Sequence, residues 1–250
     1  MSVALRSRRV DEQRVQRTYN AIASVYDARW NAYTAATHAV TLELLDPQPG
    51  DHILDASGGT GTLTERLLDC VGPQGSVTIT DISTGMLTQA RKRLGGYSNV
   101  TFVQADLCTL DAGEERFSKV VCANAFHHYY DPRRALTTIA KTLRPGGTVM
   151  ITDWRADLPF RLWEWYQRQR GKAEGTTYTM AEMREMLVER AFQIGEERKW
   201  RFGWYPLFSI KAIKGTQETN KTNRYAYRGI AIRKELGKGI RRYRSWWNTK

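Results

Sequence analysis

Apolar residues recur along the chain in short runs bounded by Gly, Pro and Asp, at His52–Ala56, Ser76–Asp81, Asn99–Gln104, Phe117–Asn124 and Gly147–Asp153. Runs of this length between turn residues predict buried strands. Between them the spacing changes to the three-and-four rhythm of amphipathic helices at Thr62–Cys70, Thr84–Leu94 and Pro132–Leu143, and a helical start is expected around Val15–Val40. Alternating strands and helices predict an α/β fold with a doubly wound, mostly parallel sheet. The rhythm breaks near the end of the body. A helix at Met180–Arg190, opened by a Thr179 and Glu182 capping box, is followed by two strand-like runs, Gln193–Phe202 and Pro206–Lys214, across the turn Gly203–Trp204–Tyr205. The sheet is therefore expected to be seven-stranded and to end in an antiparallel hairpin.

The 250 residues, 41% of them hydrophobic, suffice for one full core. Three parts are expected: a helical cap over 1–45, a body over 46–215 and a tail over 216–250. The formal net charge of +12 is concentrated at the two ends. Residues 216–250 hold ten Lys and Arg against Glu218 and Glu235, residues 1–18 hold five Arg against two acids, and the body is close to neutral. Such a distribution suits a tail that touches something anionic rather than a groove built for a polyanion. Ile232, Leu236, Ile240, Tyr243 and Trp247 form a stripe that fits an anionic membrane surface. Gly229, Gly237 and Gly239 weaken any free helix there, so a solvated tail is the alternative.

Cys70, Cys108 and Cys122 are dispersed and show no C-x-x-C pairing, which predicts a reducing, cytoplasm-like compartment. No apolar run approaches the roughly 20 residues of a membrane span. The opening lacks a signal peptide's apolar stretch, and Asp11 and Glu12 argue against an organelle presequence. No metal site is expected.

The first strand runs into Asp55-Ala56-Ser57-Gly58-Gly59-Thr60-Gly61 and then a helix, a glycine-rich turn that a ligand can approach closely. Asp81 ends the second strand, where a carboxylate can accept hydrogen bonds from both hydroxyls of a ribose. A nicotinamide site shares both features. Its G-x-G-x-x-G/A fingerprint fails here, because Gly59-Thr60-Gly61-Thr62-Leu63-Thr64 puts threonine in the third small position. After the third strand, Asp106 is placed to accept a hydrogen bond from an adenine amino group.

The segments ILDASGGTGTLTERLL, TDISTGML, VTFVQADL and LRPGGTVMITD resemble the successive motifs of class I S-adenosylmethionine-dependent methyltransferases, over about residues 50–155. TYNAIASVYD is similar to the opening of the ubiquinone/menaquinone-biosynthesis C-methyltransferases, which also replace the first glycine of the turn, here by Ser57. The resemblance implies S-adenosylmethionine as cofactor. It implies a cofactor site of Tyr26, Asp55, Ser57, Gly58, Gly59, Gly61, Asp81, Ile82, Met86, Asp106, Leu107 and Asn124. Asp55 and Gly59 would lie near the methionine part, Asp81 on the ribose, Met86 on the adenine, Asp106 on its amino group, and Tyr26 over the methionine end.

Ending the fourth strand is Asn124-Ala125-Phe126-His127-His128-Tyr129-Tyr130-Asp131-Pro132, beside the transfer side in this fold. His127 or His128 could act as general base toward a phenol or activated carbon. Alternatively, one histidine packs locally, as Asp131 is expected to cap the helix at Pro132. The loop departs from the quinone family, so that family's acceptor does not carry over, and it does not match the N-P-P-Y type, which disfavours a nucleic-acid substrate. Asp153 reads as a strand-end acid or a second base. The aromatic stretch Pro159–Tyr166 reads as an acceptor lid or as ordinary packing. The expected function is methyl transfer to a small apolar or aromatic acceptor at carbon or oxygen. The alternative is a catalytically silent, methyltransferase-like interaction protein.

Overall fold

The computed structural model describes residues 3–170 and 175–216, so the expectations for the tail beyond Thr216 lie outside the described residues. The elements in chain order are α1 (Val3–Ile22), α2 (Tyr26–Leu45), β1 (His52–Ala56), α3 (Thr62–Val71), β2 (Ser76–Asp81), α4 (Thr84–Leu94), β3 (Val100–Gln104), β4 (Phe117–Ala123), a 3₁₀ turn (Phe126–His128), α5 (Pro132–Thr142), β5 (Leu143–Trp154), α6 (Leu158–Gln169), α7 (Met180–Val188), β6 (Phe192–Phe202) and β7 (Tyr205–Lys214). The seven strands form one sheet in the order β3-β2-β1-β4-β5-β7-β6. The first five are parallel, and β7 runs antiparallel to both β5 and β6. Residues up to Lys214 form one compact unit.

The central parallel strands β1, β4 and β5 bury apolar side chains on both faces. Leu54 and Ala56 of β1, Val120 and Cys122 of β4, and Val149 and Ile151 of β5 pack with Leu136, Ile139, Met183 and Leu187 on one face. Ile53, Val121 and Met150 point to the other face, against Leu45, Leu67, Leu68, Leu87 and Leu94. Ser83 caps α4 by accepting the Met86 N–H, and Asp131 caps α5 by accepting the Arg134 N–H just before Pro132. Both halves of the Thr179–Glu182 capping box are formed.

The helical start differs from its expectation. Instead of one helix over Val15–Val40, the chain turns at Ala23–Val25, where the Val25 N–H donates to the Ile22 carbonyl at 3.0 Å. Apolar periodicity runs through this turn, so only tertiary anchors reveal it. The Gln16 Nε2 donates to the Ile82 carbonyl at 3.0 Å, and the Asn20 Oδ1 accepts from Ser83 Oγ at 2.7 Å and from the Gly85 N–H at 2.9 Å. These bonds hold α1 over the β2–α4 junction while α2 packs along β4 and β5. At the other boundary, α5 stops at Thr142 and Leu143 already belongs to β5. Pro145 disfavours a helical Arg144, and a Cβ at Gly147 would come within 3.0 Å of the Ser118 carbonyl.

The three cysteines are free thiols. Among the described residues, no helix is long and apolar enough to cross a membrane.

Candidate functional site

The strand order reverses between β1 and β4, and the crevice outside the carboxyl ends of the strands at such a switch point is where open α/β sheets take ligands. A cavity of about 950 Å³, counted with its open mouth, lies there. Its floor is the β1–α3 turn, Asp81 and Ile82, Asp106, and Asn124 with the 3₁₀ turn. Its roof is Glu12, Val15 and Tyr19 of α1 with Tyr26, Thr34 and His38 of α2.

The turn is built from left-handed residues: Ser57 at φ +60, Gly59 at +59 and Gly61 at +81. A non-glycine residue pays about 1 kcal/mol in this region. At Ser57 a hydroxyl contact with the Tyr129 hydroxyl, 2.9 Å away, offsets that cost. Gly58 cannot be larger, because a Cβ there would stand 2.7 Å from Ile79 and 2.8 Å from the Asp55 carboxylate.

The acids are oriented by this backbone. Asp81 accepts the Gly59 N–H at 3.0 Å on one oxygen and the Ser83 N–H at 2.8 Å on the other. Burial nonetheless pushes its carboxyl up to about 6 against those bonds. Asp55 accepts the Thr64 hydroxyl at 2.6 Å, and burial, with Asp81 adding to it, lifts its carboxyl to about 7. Two buried acids on one wall favour a cationic or hydroxyl-rich ligand, which would restore their charge. Asp106 accepts the Cys108 N–H at 2.7 Å and lines the cavity's β3 end. Asn124 sits at φ +59, a conformation asparagine tolerates well. Its side chain accepts from the Tyr33 hydroxyl and donates to Thr37 at 2.8 Å, so its polar atoms are spent within the protein.

Tyr26, Asp55, Ser57, Gly58, Gly59, Asp81, Ile82, Met86, Asp106 and Asn124 thus line one cavity. Gly61 and Leu107 do not. Gly61 begins α3 against Ala90 and Leu94, and Leu107 is buried in the core under α5.

The two histidines separate. His128 lines the cavity, with its Nε2 2.7 Å from the Tyr19 hydroxyl. His127 is not among the residues that line it. Its Nδ1 lies 2.7 Å from Asp153, its own N–H donates to the second Asp153 oxygen, and its ring stacks on Trp154 with centroids 4.6 Å apart. Asp153 also accepts the Trp154 N–H at 2.7 Å. Burial pushes this carboxyl up, but the His127 imidazole and these bonds bring it below its ordinary range, so Asp153 is a structural acid. Among the described residues, none of α6 lines the cavity, and Leu158, Leu162, Trp163, Trp165 and Tyr166 are exposed.

Sequence reasoning missed most of the roof, namely Glu12, Val15, Tyr19, Thr34 and His38, and the floor residues Tyr129 and Tyr130. The one usable signal was His38, a titratable residue within an otherwise Ala/Thr-rich stretch of helix. Among the described residues, no group of His, Cys, Asp and Glu gathers to hold a metal ion.

Residues 53–147 match the family model for the methyltransferase domain. The ubiquinone/menaquinone biosynthesis C-methyltransferase UbiE of Ectopseudomonas mendocina is 32% identical over 149 residues, which span 57% of this chain and 58% of that protein. In three dimensions, a Haloferax volcanii protein solved in complex with the Trm112 methyltransferase activator superposes with a TM-score of 0.68 at 18% identity, over 79% of this chain and 98% of that one. Haemonchus contortus phosphoethanolamine N-methyltransferase 2, solved with S-adenosylhomocysteine, superposes with a TM-score of 0.61 at 19% identity, over 72% of this chain and 52% of that one. Residues 53–147 thus match a methyltransferase domain, and the strand order and the acid-ended strands around them agree with that match.

Proposed function

We propose that the protein methylates a small apolar or aromatic acceptor at carbon or oxygen. The observation that carries this reading is a single cavity joining the three strand-end acids to a ring-lined wall of Tyr19, His128, Tyr129 and Tyr130. S-adenosylmethionine, when bound, supplies an electrophilic methyl group. The chain's own residues do the rest. Asp81, its oxygens fixed by two backbone N–H groups, takes the ribose hydroxyls. Asp106 takes the adenine amino group, and Met86 packs beneath the base. Asp55 faces the amino-acid end. Tyr26, Tyr19 and Val15 close the roof and exclude water, so that donor and acceptor meet in a fixed orientation.

In the tautomer that donates its Nε2–H to the Tyr19 hydroxyl oxygen, His128 has its Nδ1 to take the acceptor's proton. His127, tied to Asp153, fixes the 3₁₀ turn that presents His128 and acts as a positioning residue. The relatives' place in ubiquinone and menaquinone biosynthesis favours an aromatic acceptor.

The test is mass spectrometry of a cell extract incubated with the protein and methyl-labelled cofactor, repeated with His128→Asn. A labelled small aromatic product is expected, and the variant should lower turnover by about 10²–10⁴-fold while leaving cofactor affinity within about twofold. A protein that binds the cofactor and labels nothing would be the silent interaction protein instead. Full turnover by the variant would leave proximity and orientation as the whole mechanism.

A further inference from the structure

We infer that His38 receives the carboxylate of the cofactor's amino-acid end and so selects for the full cofactor over its nucleoside part. The inference rests on the cofactor reading above and adds to it a residue outside every motif the sequence displayed.

His38 lines the cavity from α2, is 8% exposed, and has no hydrogen-bond partner among the described residues. Neither ring nitrogen is sealed in the protein, so both are reached from the cavity, where a ligand atom can meet them. Several neighbouring donors are already committed. The Thr34 hydroxyl donates to the Trp30 carbonyl at 3.0 Å, Thr37 donates to the Thr34 carbonyl at 3.0 Å, the Asn124 amide donates to Thr37, and the Thr60 hydroxyl donates to Asp27 at 2.6 Å.

The position identifies which part of the cofactor is met. Asp81 and Asp106 occupy the β2 and β3 end of the crevice. His38 lies at the opposite end, one residue from Thr37, which is tied to Asn124 after β4, and within electrostatic reach of Arg66 on α3. The amino acid of the cofactor must lie at this end if the ribose is on Asp81. Its ammonium matches the buried Asp55 carboxylate, which leaves the carboxylate in need of a donor. Burial, with Arg66 adding to it and Asp27 opposing, lowers the His38 imidazole to about 4. The ring is therefore neutral, with one N–H to donate, and a carboxylate accepts it without opposing a like charge.

The test measures binding, not turnover, by calorimetry on the full chain. Two probes are used: S-adenosylhomocysteine, and 5′-methylthioadenosine, which keeps the nucleoside and thioether but lacks the amino acid. His38→Ala is expected to weaken S-adenosylhomocysteine about ten- to hundredfold, in line with a lost hydrogen bond to a charged group, and to leave 5′-methylthioadenosine within about twofold. His38→Gln, which retains an N–H, should recover part of the loss and serves where the alanine variant fails to fold. Equal losses for both probes, or no loss for S-adenosylhomocysteine, would overturn the assignment. Failure of the unaltered protein to bind either probe would instead strike at the cofactor reading itself.

Discussion

At the scale of single residues, the two acids of the β1–β2 wall carry a measurable pH signature. Burial holds the Asp55 carboxyl at about 7 and that of Asp81 at about 6, whereas the unfolded chain releases both protons near 4. The folded protein thus binds more protons across that window, and the contribution of these groups to stability falls as pH rises from about 4 to about 7. Urea midpoints without cofactor should therefore decline less in Asp55→Asn than in the unaltered protein across this range. Equal slopes would mean that Asp55 does not titrate there. Both acids were legible in the sequence because a strand-end carboxylate beside a glycine turn carries its own signature. His127 and His128 were not separable, since adjacent residues on a 3₁₀ turn face different ways and only the Asp153 partner decides which one is turned inward.

Among the elements, α1 is the one whose placement rests on few bonds. Asn20 alone accepts from Ser83 and the Gly85 N–H, and Gln16 adds one bond to Ile82. Asn20→Ala should release the roof without melting the body. Faster amide exchange over α1 is expected, with S-adenosylhomocysteine affinity reduced about fivefold or more and a melting temperature lowered by at most a few degrees. An α1 as protected as before would show that apolar contacts hold it. The strands and the helices between them were readable because each pairs an apolar run with an adjacent turn residue or cap. The break at Ala23–Val25 was not, since nothing local marks it: Val25 begins α2 with no side-chain cap, and the apolar rhythm passes through. The roof residues were lost with it, because which helix face meets the cavity depends on that turn.

For the whole molecule, the compact unit ends at Lys214, and every cavity-lining residue among the described residues precedes it. A chain ended after Gly215 should keep its fold and its affinity for S-adenosylhomocysteine within about twofold, and should lose any salt-sensitive adsorption of the full chain to anionic vesicles. Loss of cofactor binding on truncation would make the basic tail part of the site. The closing hairpin was expected, but which of its arms joins the body was not, since an alternating pattern is the same for both. It is β7, the second arm, that pairs with β5. The last strand among the described residues is therefore an interior strand of the sheet. As the chain emerges from the ribosome, the Thr148–Trp154 edge of β5 stays open until residues 205–214 arrive, long after its own helices could have packed. An unpaired apolar edge of that length invites pairing with another nascent chain, and it is the arrival of residues 205–214 that covers it.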